Sequence, residues 1–164
     1  MSVTRRPTRT AVALTGGFVA VAVLPLLVVA VTIPAGVLGG TLSVIGTAVG
    51  SRRLLGVGVV TLLAGALLAS TQGLPLLLSI VVAVGALLVW DVGEQSINVA
   101  RQLGRDSDGE RPIFVHAAVS LVGFVVIAPG VSLVFSLASG GQPIEALLLL
   151  LIGGAFIVMS IDLS

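Results

Sequence analysis

The sequence has no cysteine, no lysine and no tyrosine, and it has little charge of either sign. Without cysteine there is no disulfide, no thiolate metal site and no cysteine nucleophile. The lone histidine, His116, cannot build a histidine-based metal centre by itself. Eight arginines face seven Asp and Glu, a net charge of +1 that supplies no long-range field for nucleic acid. Only 9% of the 164 residues are charged, where a soluble domain carries about 25%. These shortages exclude a soluble globular enzyme, a nucleic-acid binder and a disordered chain.

What remains is apolar. Hydrophobic residues make up 57% of the chain, glycine adds 21 more, and the mean hydropathy is +1.24. This is the composition of a polytopic membrane protein with little outside the lipid. An all-arginine basic set beside heavy Ala, Val, Leu and Gly use also suits a GC-rich coding genome. A membrane helix needs about 20 apolar residues, with a range of about 17–25. Hydropathy places six spans, at 10–33, 35–50, 54–71, 74–92, 113–138 and 143–161. The breaks are Ile33-Pro34-Ala35-Gly36, Ser51-Arg52-Arg53, Thr71-Gln72-Gly73-Leu74-Pro75, the stretch 93–112 and Ser139-Gly140-Gly141-Gln142-Pro143. Pro and Gly stop helices for backbone reasons. The span 35–50 is short and lacks large side chains, so one tilted span and a re-entrant piece is the alternative for 10–50.

The arginines test the count, because they gather in cytoplasmic loops. With six spans and the N-terminus inside, Arg5, Arg6, Arg9, Arg52, Arg53, Arg101, Arg105 and Arg111 all fall on one side. Five spans would put Arg52 and Arg53 opposite the N-terminal cluster. The sequence therefore predicts an all-α bundle of six transmembrane helices, one integral domain over 1–164, with both termini cytoplasmic and the cell membrane as its location. The apolar run after Arg5-Arg6 is too long for a secretory signal, and an uncleaved first helix is expected.

Lipid tails supply no hydrophobic drive for helix association, so close backbone approach has to supply it. Gly36, Gly40, Ser43, Thr47 and Gly50 are spaced four, three, four and three apart, which puts them on one helix face. Gly58, Thr61, Gly65 and Ala69 repeat the stripe more weakly. Both are expected to pack helices within the chain. Pro25 and Pro129 lie inside spans and are expected to kink them.

The most informative stretch runs from Trp90 to Arg105. Trp90 suits the membrane–water interface. Beyond it Asp91, Glu94, Asn98, Arg101 and Arg105 share one helix face, while Ile97, Ala100 and Leu103 define an apolar one. The fourth span is thus expected to run on as an amphipathic cytoplasmic segment within 93–112, with Asn98, Arg101 and Arg105 as a candidate partner surface. Asp91, Glu94 and His116 lie at the same boundary and form a candidate polar cluster. An ionisable residue at membrane depth is a functional hypothesis by default. A carboxylate pair beside a histidine suits proton relay or cation binding. The structural reading is that the acids anchor the helix and pair with Arg53, Arg101 or Arg111.

Enzyme signatures are weak. His116 and Ser120 are four apart on one face, yet no acidic partner that would orient them is evident. No pair of opposed intramembrane Asp residues, phosphate-cradling loop or metal-ligand cluster is found. No catalytic residue, cofactor or metal is expected.

Trp90-Asp91-Val92-Gly93-Glu94, then Gln102-Leu103-Gly104-Arg105 and Val115-His116-Ala117-Ala118, resembles a family of small uncharacterised integral membrane proteins of halophilic archaea. The pattern is W-D-x-G-E, an L-G-R segment, a short charged turn and a His opening the next helix. The turn Ser51-Arg52-Arg53-Leu54-Leu55-Gly56 is similar too. The resemblance covers about residues 45–125. Members are often encoded beside MoxR-type ATPases and von Willebrand-type membrane proteins, which implies an assembly setting. The expected function is a non-enzymatic component of a membrane protein assembly, in the lipid bilayer with other membrane proteins or a MoxR-type ATPase system as partners. The alternative is a small ion- or proton-coupled transporter or channel subunit using Asp91, Glu94 and His116.

Overall fold

A computed structural model describes residues 7–103 and 110–137, and among these the chain is helix and turn with no strand. Five α-helices follow one another: α1 Arg9–Leu26, α2 Ile33–Val49, α3 Arg52–Thr71, α4 Leu76–Leu103 and α5 Glu110–Leu137. Four stretches are long and apolar enough to cross a membrane: Arg9–Leu26, Ala30–Val49, Arg52–Thr71 and Leu76–Gln102. In α5 the apolar stretch found among the described side chains is Phe114–Gly123. The expected sixth span at 143–161 lies outside the described residues, as do Arg5, Arg6 and Arg105. Among the described residues, 7–103 and 110–128 belong to one compact unit, and 129–137 to a second.

Each helix boundary has a local cause. Thr8 opens α1, its hydroxyl accepting from the Ala11 N–H at 3.2 Å. The first reversal does not fall at Pro34, where the sequence placed it. Helix α1 ends at Leu26, one residue past Pro25, and a 3-10 turn, Ala30–Thr32, leads into α2. Pro25 therefore stands at a helix end and not at a kink within a longer span. Pro34 stands in the first turn of α2, where a helix has no use for an N–H and a fixed φ fits. The buried Thr32 hydroxyl seals the turn by donating to the Leu26 carbonyl at 2.8 Å. With its leading turn, the second stretch is 20 residues long, and its length suits a full crossing.

The second reversal is tighter. Gly50 has φ +73°, a left-handed value that favours glycine. The Ser51 N–H donates to the Gly46 carbonyl at 2.8 Å and the Gly50 N–H to that of Thr47 at 3.1 Å, the Schellman pattern that satisfies terminal carbonyls. Ser51 then opens α3, its hydroxyl accepting from the Leu54 N–H. Gly73, at φ +88°, plays the same conformational part between α3 and α4.

Helices α1 to α4 form an up-down ring in which α1 neighbours α2 and α4, and α3 neighbours α2 and α4. Leu26, Leu55, Leu62, Val82 and Val89 fill its interior and are essentially inaccessible. The α2–α3 pair is the closest. The place a side chain would take on Gly39 is 2.9 Å from the Gly58 carbonyl oxygen, and that on Gly58 is 2.7 Å from the Gly39 carbonyl oxygen. A Cβ on Gly46 would overlap the Leu55 backbone.

The stripe read from sequence is thus divided among neighbours. Gly36 and Gly40 face Val19, Val23 and Leu26 of α1. Ser43 faces Gly58 of α3, and Thr47 faces Gly93 of α4. Gly39 and Gly46, which the spacing argument passed over, make the tightest α3 contacts. In α3, Gly58 meets α2 and Gly65 meets Ala35 and Leu26, Ala69 is buried, and Thr61 donates to its own Val57 carbonyl.

Gly46→Val is expected to cost about 1–3 kcal/mol of stability through overpacking. Gly17→Ala, where no neighbour lies within 4 Å, is expected to be near neutral. Thermal unfolding of both variants in mild detergent measures the contrast.

Candidate functional site

The motif Trp90-Asp91-Val92-Gly93-Glu94 occupies the second half of α4, and its members meet three other helices. At 28 residues α4 is about 42 Å long by helix rise, against a hydrocarbon core of about 30 Å. It runs without a break through Asp91 to Leu103. Its far end is not free of the bundle, because Ser96, Ile97 and Ala100 are all buried.

Gly93 makes this approach possible. A Cβ there would stand 2.8 Å from a Leu55 methyl and 3.1 Å from the Thr47 hydroxyl. Trp90, partly buried, lies across Gly56 of α3, whose Cβ position is 3.2 Å from the indole. The ring therefore packs on a neighbouring helix.

Asp91 turns toward α5. The His116 Nε2 stands 3.0 Å from Asp91 Oδ1, and the Ser120 hydroxyl donates to Asp91 Oδ2 at 2.7 Å. One carboxylate thus holds two successive turns of α5, since residues four apart share a helix face. The His116 and Asp91 side chains keep 41% and 42% of their accessibility, so the pair is reachable from outside the bundle. Ser120 is the residue the sequence left without a partner. The acid that orients it is Asp91, 29 positions away along the chain, a relation no local spacing reveals. Its hydroxyl bonds the carboxylate and not the imidazole, so this is a bridge between helices and lacks the serine–histidine bond of a triad.

Glu94 and Asn98 belong to a second group. Arg52 Nη2 stands 3.5 Å from Glu94 Oε1 and also donates to Asn98 Oδ1. The sequence named Arg53, Arg101 and Arg111 as pairing candidates. The helix register brings Arg52, the first residue of α3, to Glu94 instead. Arg101 donates to the Gly50 carbonyl at 3.4 Å, adding a partner at the C-terminal end of α2. Asp91 lies three residues, about 4.5 Å of rise, on the apolar side of Glu94. The three predicted cluster members therefore fall into two groups: Asp91 with His116, and Glu94 with Arg52. The Arg52–Glu94 pair is exposed at 44% and 32%, and pairs of that kind contribute little to stability.

Among the described residues no group of three or more His, Asp or Glu is placed to hold a metal ion. The buried hydroxyls of Thr15, Ser43, Thr47 and Ser96 each donate to the carbonyl four residues earlier. They are satisfied within their own helices.

The interhelix bridge predicts a coupling that local roles do not. In a double-mutant cycle, Asp91→Ala and Ser120→Ala should couple by about 0.6 kcal/mol, with an upper bound of about 1.7 kcal/mol. Ser120→Ala and Glu94→Gln should simply add. Unfolding free energies in detergent or bicelles give both numbers.

No curated protein and no solved structure matches the chain. Over residues 5–158 the sequence matches the model of a family of unknown function, DUF7519, and with nearly its whole length covered the chain belongs to that family.

Proposed function

We propose that the protein is a multi-pass component of a membrane protein assembly, non-enzymatic, with its charged end as the surface that meets partners. The observation that carries this reading is the uneven distribution of polar contacts. Apart from the Thr32–Leu26 bond that closes the first turn, every hydrogen bond or ion pair named above that joins two helices lies at the Arg52 end: Asp91 with His116 and Ser120, Arg52 with Glu94 and Asn98, and Arg101 with Gly50. The interior between α1, α3 and α4 is filled instead by Leu26, Leu62, Val82, Ala86 and Val89. A filled apolar interior offers a permeating ion no replacement for its hydration shell. The same end carries Arg101 and Gln102, exposed on the part of α4 that outruns a bilayer core.

This reading takes six spans with both termini in the cytoplasm of a plasma-membrane protein. The alignment of all eight arginines on one side supports that topology. A cytoplasmic ATPase of the MoxR type is the partner class that the family resemblance suggests. A second reading, an ion- or proton-coupled subunit, draws support from the half-exposed Asp91–His116 pair inside the Glu94 level.

The cysteine-free chain suits single-cysteine topology mapping. Cysteines at positions 51 and 107 should react with an impermeant maleimide from the cytoplasmic side only, and cysteines at 73 and 140 from the outside only. A position 140 labelled from the cytoplasm would overturn the six-span arrangement.

Function is tested by mild-detergent capture of the tagged protein from native membranes, together with flux in proteoliposomes. The assembly reading expects a stoichiometric partner that is lost when Arg101 and Arg105 are both changed to Glu. It also expects no permeability change in Asp91→Asn/Glu94→Gln. A flux abolished by the second pair, with capture unaffected by the first, would reverse the conclusion in favour of transport.

A further inference from the structure

An apolar groove of about 440 Å³ runs along the outside of the ring between α1 and α2. Gly16, Ala20 and Val23 line it from α1, and Gly40, Thr41 and Ile45 from α2. No neighbour lies within 4 Å of where a Gly16 side chain would start, so the groove is open there.

The helix register adds a charge to its end. Positions 9, 16, 20 and 23 are seven, four and three apart and so fall on one face of α1. Arg9 therefore stands at the head of the strip that lines the groove, two turns or about 10 Å of rise before Gly16. Its side chain is exposed, and the ion pairs among the described residues do not involve it. The positive end of the α1 dipole lies at the same level. Neither α1 nor α2 contains an acidic residue.

We propose that this groove holds an acyl chain of one anionic phospholipid whose headgroup phosphate pairs with Arg9. The competing occupant is the chain's own apolar stretch 143–161, whose Asp162 falls on the Arg9 side in the six-span topology. Seated there, it would shield the Thr41 label from both lipids and overturn the proposal. A bilayer presents a phosphate at that level with an apolar chain leading straight from it, and only in an anionic lipid is that phosphate not already neutralised by a cation of its own headgroup. The inference rests on the chain being embedded in a bilayer, and it is independent of the assembly reading.

The experiment uses the full chain with one cysteine, Thr41→Cys at the groove rim, labelled with a small fluorophore. The protein is placed in phosphatidylcholine vesicles containing an equal minor fraction of chain-brominated phosphatidylglycerol or chain-brominated phosphatidylcholine. A second label at Val60→Cys, on the exposed side of α3, reports ordinary lipid contact. The expected result is about fivefold stronger quenching of the Thr41 label by the anionic lipid, the size of one arginine's attraction at a membrane surface. Arg9→Gln should remove the preference while leaving neutral quenching intact. Gly16→Leu, which fills open space, should reduce quenching by both lipids. Equal quenching by the two headgroups at Thr41, or the same preference at Val60, overturns the proposal. A Val60 label that neither lipid quenches would instead overturn the bilayer reading itself.

Discussion

In an apolar surrounding, every polar group must find its partner inside the chain, and the organisation of this molecule follows from that requirement. Unpartnered backbone groups cost several kcal/mol each in hydrocarbon, so the described residues are helical apart from short turns. The same rule governs the turns. Thr32 covers the carbonyl that ends α1, and the Gly50 reversal returns the Gly46 and Thr47 carbonyls to N–H donors. It governs the buried hydroxyls of Thr15, Ser43, Thr47 and Ser96 as well, each donating back one turn in its own helix, while the Ser79 hydroxyl is an exception, buried without a partner among the described residues. These side chains are small and silent toward the outside, and so they serve as packing surface.

Once the backbone is satisfied, cohesion depends on how near two helices come. Dispersion falls steeply with distance, and a membrane helix gains nothing by merely hiding leucine from lipid. Gly39, Gly46 and Gly58 let α2 and α3 touch through their backbones, while Gly85 lets α4 close on Ala22 of α1. Glycine is costly in an isolated helix. Here the close approach offsets that cost, and the high glycine content is the composition of an interface.

The pentapeptide from Trp90 to Glu94 draws these lines together at one end. Its four distinctive residues touch four different places: Gly56, the His116–Ser120 face of α5, the Leu55–Thr47 junction and Arg52. Trp90, Gly93 and Glu94 all touch α3, Gly93 also meets α2, and Asp91 meets α5. A change there therefore bears on contacts with α2, α3 and α5 together. The apolar α1–α2 groove has no such polar frame, and its character comes from shape and from the charge at its head.

That the chain forms helices long and apolar enough to cross a membrane was legible from composition and hydropathy, because 9% charge cannot clothe a soluble surface. The helices, the Ser51 turn and the continuation of α4 past Trp90 were legible from periodicity and capping residues, which act over three or four positions. The first reversal was misplaced by several residues, since a proline reads alike whether it ends a helix or begins one, and the deciding contact was Thr32 with Leu26. Of the pairings made by the polar residues, Asp91 with His116 was legible from their shared boundary, and the others were not. Asp91 meets Ser120 across 29 positions, and Glu94 meets Arg52 across 42, counted from their numbers. Sequence spacing reports which residues share a face of one helix. Which face meets which neighbour depends on how two helices rotate and slide to bring glycine against backbone. That choice is made by packing, where a stripe of 36, 40, 43 and 47 and one of 39, 43 and 46 look equally good until the bundle closes.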